Sequence, residues 1–205
     1  MFNRFKLKGN VSGAIRSDEE LASIDKRAAD ETFKIQKKRL DAFLQQKGFV
    51  KYKTNSYLRR NRLNVLEYID LQKERYGSRT FTVNYALTSL YVPHAFFSFD
   101  LGDRLGKLIC DKDVWWDYAN EQIAEVSFNN VIEAIEIVLL PWFEEMENLE
   151  SIRKELTTQK KKRESHCGRL SDTQAFWLDA IEKDTWDEAI VLSNIETFKL
   201  PKKLS

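Results

Sequence analysis

GFVKYKTNSYLRRNRLNVLEYIDLQKERYGSRTFTVNYAL, residues 48–87, decides the fold, because the hydrophobic period changes at its first residue. Ahead of it, Phe33, Ile35 or Gln36, Leu40, Phe43 and Leu44 recur at helical spacing. Lys34, Lys37, Lys38 and Arg39 lie largely on the other side. Gly48 supplies a left-handed stop. Beyond it the period is two. Residues 49–53 read as a first strand, turned by Thr54-Asn55-Ser56 into a second at 57–60. A longer strand follows from Leu63 to Lys73, with Leu63, Val65, Ile69 and Leu71 on one face and only Glu67 spoiling it. After the turn Tyr76-Gly77-Ser78, the residues Phe81, Val83, Tyr85 and Leu87 alternate with Thr80, Thr82, Asn84 and Ala86. Links this short force antiparallel neighbours, since a parallel return needs a crossover of about a dozen residues. The alternation also predicts one wet face.

Working outward, Ser17 and Glu20 have the form of a capping box, which predicts helix from there to about Lys47 with a break near Ala29–Asp30. On the other side, Asp103 to Ile109 reads as a further strand and Trp115-Trp116 as a short extended link. A helix from about Asn120 or Phe128 to Met146 follows, bent or restarted at Pro141. Then come a helix from about Leu149 closing on the solvated run Lys160–Arg163, a break at Gly168, and a helix capped by Ser171 with Phe176, Trp177, Leu178 and Ile181. A last helix carries Trp186, Ile190 and Leu192. The expectation is therefore an α+β fold, with an antiparallel sheet of about four to five strands packed against long helices and a C-terminal helical appendage. The division expected is an N-terminal extension at 1–16, an α+β domain at 17–150 and the appendage at 151–205.

Composition narrows the function classes. The chain has 205 residues, 42% apolar and 12% aromatic, enough for a packed core. Its 33 Lys and Arg nearly cancel 32 Asp and Glu, so any basic binding surface must be local. The N-terminal residues 1–13 have no apolar run after their basic residues, and the apolar stretch at 131–143 is broken by Glu133, Glu136 and Pro141. Neither reads as a signal or a membrane span. With Cys110 and Cys167 expected reduced, the compartment expected is the cytoplasm.

The order of several short motifs resembles a known family. Gly48-Phe49, Ile69-Asp70-Leu71-Gln72-Lys73, Phe81-Thr82-Val83-Asn84, Arg104-Leu105-Gly106, Trp115-Trp116 and Leu140-Pro141-Trp142-Phe143 occur in the sequence order of the bacterial domain-of-unknown-function family 4304. The likeness covers roughly residues 28–149. It implies a bacterial α+β domain and carries no catalytic residues with it.

The chemistry-bearing residues are sparse. His166-Cys167 lacks converging metal ligands, and His94 has no partner close in sequence, so no metal site and no cofactor is expected. Asp111, Asp113 and Asp117 are interrupted by Val114-Trp115-Trp116 where a calcium loop needs oxygen ligands and a glycine. Asp100, Asp103 and Arg104 would serve as an acid–base set only in a pocket that parted their pKa values. Lys51, Lys53, Tyr57, Arg59, Arg60 and Arg62 make the first hairpin basic and aromatic. That suits single-stranded nucleic acid, but also suits an edge protected against aggregation. Trp115 and Trp116, adjacent in an extended link, point opposite ways, leaving one available for a partner protein while the other is buried. The leading expectation is a non-enzymatic protein-binding module, immunity-like or accessory, with nucleic-acid binding through residues 51–62 as the alternative.

Overall fold

The computed structural model describes residues 17, 19 and 23–205. The expected N-terminal extension at 1–16 and Glu20 of the capping box lie outside the described residues. Helix α1 spans Lys26–Gln46, and Asp25 caps it by accepting from the amides of Arg27 and Ala28. The expected break therefore falls at Ile24–Asp25 instead of Ala29–Asp30. The two alanines are strong helix formers, whereas an aspartate caps well. The buried face is Ala29, Phe33, Gln36, Lys37, Leu40 and Leu44. Ile35 is exposed, and Lys37, expected on the wet side, lays its stem along this face. Gly48 then leaves the helix at φ 86°.

Six strands follow: β1 (Val50–Lys53), β2 (Ser56–Arg60), β3 (Val65–Lys73), β4 (Thr80–Ser89), β5 (Leu101–Arg104) and β6 (Trp116–Asp117). They form one antiparallel sheet in the order β1-β2-β3-β4-β5, with β6 beside β4, so that Phe81 faces Trp116. The wet face expected of β4 is absent. Every residue of that strand except Asn84 is buried, and Thr82 donates its hydroxyl hydrogen to the Val114 carbonyl at 2.9 Å. Threonines on a strand can thus mark a covered face once their hydroxyls are satisfied.

The strand expected at 103–109 is also corrected. β5 ends at Arg104, and Leu105–Cys110 is a short helix, α2. Six residues are too few to distinguish a period of two from one of 3.6. Gly106 lets this helix close on the chain that follows, since a Cβ there would lie 2.4 Å from the Lys112 carbonyl oxygen and 2.6 Å from the Val114 nitrogen. Gly106→Ala is expected to destabilise the fold by about 1–3 kcal/mol, the cost of overpacking. A shift of the urea midpoint measures it.

Helix α3 (Glu121–Ala134) is capped by Asn120, passes through a π-helical turn at Ile135–Leu139 and continues as α4 (Leu140–Glu145). Pro141 has no amide hydrogen, and its ring crowds the preceding turn. The wider turn absorbs this, with the Leu140 amide bonding the Ile135 carbonyl five residues back. Three further helices complete the chain: α5 (Leu149–Glu164), α6 (Asp172–Lys183) and α7 (Glu188–Phe198). Ser171 and Gln174 form a capping box on α6.

The chain makes two compact units, each discontinuous in sequence. The first contains residues up to Tyr57 together with Ile69–Tyr85 and Asp103–Pro141. Its core is an aromatic cluster in which Phe33 of α1 meets Phe81, Tyr118 and Phe128 at centroid distances of 4.9–5.4 Å. The second contains Leu58–Tyr68, Ala86–Gly102 and Trp142–Ser205, so the C-terminal helices pack on strand segments and on the loop that follows β4. On α7 the buried side chains are Val191, Asn194 and Phe198, while Leu192 is 64% exposed.

Candidate functional site

In the second unit, the loop between β4 and β5 reads Pro93-His94-Ala95-Phe96-Phe97-Ser98-Phe99-Asp100 and is fastened from beneath at many points. The Asp100 carboxylate accepts from the Ser89 amide at 3.0 Å, and the Asp100 amide donates to Leu87 at 2.9 Å. Gln174 of α6 donates to the Asp100 carbonyl, and Thr88 donates to the Ser98 carbonyl. Both amide hydrogens of Asn194 are spent on the carbonyls of Leu90 (2.9 Å) and Val92 (2.7 Å), tying α7 to the start of the loop. His94 shares a hydrogen bond with the Ser98 hydroxyl at 3.0 Å, and its other ring nitrogen lies 3.5 Å from the Asp100 carboxylate. A Ser–His–Asp relay needs an imidazole nitrogen turned toward substrate. Here both nitrogens face groups of the loop and the ring rests on Phe198, so the trio braces the backbone.

Above this polar frame the aromatic side chains point outward. Phe96 is 71% exposed and Phe99 49%. Tyr68 of β3 stacks against Phe99 with centroids 4.5 Å apart. Phe97 meets Phe99 edge-on at 5.4 Å and Phe198 at 5.0 Å. Two large apolar rings thus stand at the surface, Phe99 held by Tyr68 and Phe97, and Phe96 carried on the fastened backbone. Pro93, His94 and Ala95 also form one wall of an open cavity of about 470 Å³, whose other wall is Ala189, Ile190, Ser193 and Asn194 of α7. The sequence reading missed this site. Its available signal was the non-alternating run of three phenylalanines just after a proline. His94, which lacked a partner close in sequence, finds two within its own loop.

The residues singled out from the sequence lie elsewhere. Trp116 is 0% exposed, in the core beside Phe81. Trp115 is half-buried, with the Arg104 guanidinium 5.2 Å over its ring and Arg104 held at 2.5 Å by Asp113. Tyr57 is buried and donates to Asp41, and burial pushes its phenol well above the ordinary tyrosine range. Lys51 also faces Asp41 at 3.7 Å, and Lys53 lies over the Tyr52 ring. Arg59 donates to the fully buried Glu67 at 2.5 Å. Arg60 binds the Asn64 side chain and the Leu204 carbonyl, and Arg62 faces Glu147 at 3.5 Å. Asp103 and Asp117 accept from backbone amides close by, and Asp113 pairs with Arg104. Among the described residues no three His, Cys, Asp or Glu side chains are placed to hold a metal ion. Nor is any described helix long and apolar enough to cross a membrane.

No curated protein and no solved structure matches the chain. One family model does match, over residues 40–145, within the stretch whose motifs carry the resemblance and across just over half of the chain. The match takes in the end of α1, every element from β1 to α4 and the whole aromatic loop. The protein belongs to the family described as Domain of unknown function (DUF4304).

Proposed function

We propose that the protein is a cytoplasmic, bacterial, non-enzymatic protein-binding module, immunity-like or accessory in role, and that the Pro93–Asp100 loop is its principal contact. The supporting observation is the pair Phe96 and Phe99, exposed on a backbone fastened by buried hydrogen bonds. Aromatic rings dominate binding energy where they enter a partner's surface, and a loop already ordered avoids the entropy of immobilisation. Burying one phenylalanine contributes about 1.5–3 kcal/mol. Trp115, half-buried under Arg104, is a smaller second contact on the other unit. The basic hairpin favours a protein over nucleic acid as partner, because Arg59 and Arg62 face carboxylates and Arg60 is engaged by a side-chain amide and a carbonyl. The immunity-like or accessory role is an analogy of class.

Phe96→Ser with Phe99→Ser is expected to weaken capture of the native partner about 30-fold or more, corresponding to roughly 2 kcal/mol. Its urea midpoint should fall only modestly, since Phe96 is largely wet and Phe99 gives up half-exposed packing on Tyr68 and Phe97. Affinity capture from native lysate, titrated with competing parent protein, measures the effect. Undiminished capture by the double variant would remove the loop from the account.

A further inference from the structure

The cavity beside the aromatic loop bears on the kind of partner the site takes, an inference that rests on the protein-binding reading above. One wall, Pro93 to Ala95, runs directly into the exposed Phe96; the other is the outer face of α7, where Ala189 and Ser193 stand one turn apart. Its volume of about 470 Å³ has room for a large side chain. The surroundings are acidic. From Asp172 to Phe198 the chain carries seven Asp and Glu side chains against one cation, Lys183, and Lys199, Lys202 and Lys203 come only after the end of α7. Several of these carboxylates bond neutral donors: Asp184 takes the Trp186 ring N–H, Asp187 the Ala189 amide and Glu188 the Tyr91 hydroxyl. Such bonds orient the charges of Asp184, Asp187 and Glu188 without cancelling them, whereas Asp179 pairs with Lys183 at 2.8 Å. A negative field therefore persists at the start of α7. Leu192 and Glu196, on neighbouring turns of α7, are exposed.

We propose that this cavity is an anchor pocket for one aliphatic or aromatic side chain on a basic segment of a partner protein, whose lysines or arginines lie against α7. An apolar anchor between cations suits an open cavity whose apolar lining is Pro93, Ala95, Ala189 and Ile190 and whose helix carries Glu188 and Glu196. The α7 wall lies beyond the family match at 40–145, whereas the aromatic loop lies inside it. The loop thus supplies the adhesive surface and α7 the selectivity for charge.

The test pans a random-peptide phage library against the immobilised full-length protein. The enriched peptides should be cationic with at least one large apolar residue. Their affinity should fall about 10-fold or more when Ala189→Trp or Ser193→Trp fills the cavity, both positions being exposed and tolerant of a larger ring. It should fall again at an ionic strength of about 1 M, where screening acts within about 3 Å. Glu196→Lys should weaken the same peptides several-fold. Acidic or neutral consensus peptides, failure to enrich any, or cationic peptides indifferent to both tryptophan variants would overturn the proposal. Sedimentation that revealed a dimer dispersed by Ala189→Trp would overturn it too, by making a second copy the occupant. Peptides lost with Phe96→Ser but kept with Ala189→Trp would refute the pocket while leaving the loop reading intact. Indifference to Phe96→Ser would strike at the loop itself.

Discussion

Trp116→Ala is expected to destabilise the protein by about 3–5 kcal/mol, a large share of the total stability of a single domain. Trp116 is fully buried, and its strand β6 pairs with β4 through Phe81, whose ring also packs on Phe33 and Phe128. Removing the indole opens a cavity beside Phe81 at the edge of that aromatic cluster. It also loosens a two-residue strand that is otherwise held at its flanks by Val114 and Tyr118. Trp115→Ala, one position earlier, is expected to cost under about 1 kcal/mol, since that ring is half-buried and its partner Arg104 keeps Asp113. Urea unfolding of both variants measures the contrast, and equal midpoints would mean that the two side chains do not divide as described. The contrast also affects binding assays. Lost capture by Trp116→Ala would report a damaged core, so only Trp115→Ala can test a contact there.

Arg59→Met is expected to cost about 3–5 kcal/mol at neutral pH, because it leaves the Glu67 carboxylate buried without its cation. Burial holds Glu67 above the ordinary carboxylate range even against the pull of Arg59. Between the ordinary value and the raised one, the folded chain binds more protons than the unfolded chain. The contribution of protonated Glu67 is therefore fully present below the ordinary carboxylate value and is lost as pH rises through the folded value. Taking Arg59 away lifts that folded value further, so the loss in Arg59→Met should be largest near neutrality and shrink as the medium is acidified. The double change Arg59→Met with Glu67→Met should recover most of the stability. Denaturation midpoints collected across pH check the sign. A penalty that grew on acidification would contradict the burial of Glu67. A nucleic-acid assay using Arg59→Ala would be confounded by the same effect.

These two predictions show which features were legible in the sequence. The change of period at Gly48 and the alternation through residues 49–87 placed four strands, because side chains on a strand sort by face whatever covers them. Glu67 stood out as a charge on an apolar face, but its partner became visible only with the turn. Asn61 accepts from the amides of Leu63 and Val65, and Asn64 sits at φ 56°. That turn brings residue 59 opposite residue 67. The helix at Leu105–Cys110 was too short to show a period, and the wet face expected for β4 ignored threonine hydroxyls that find carbonyl partners. The aromatic loop was illegible for a different reason. Phe96, Phe97 and Phe99 are identical in composition, and their exposure depends on Tyr68, Phe198, Gln174 and Asn194, which are remote in sequence.

Whether the Pro93–Asp100 loop meets another protein is decided by a photo-crosslinking amino acid placed at position 96 of the full chain and irradiated in cells that express it. A discrete light-dependent protein adduct that excess parent protein suppresses is expected, with no such adduct when the same probe replaces the exposed Tyr76. Equal labelling at both positions, or none at position 96, would contradict that contact.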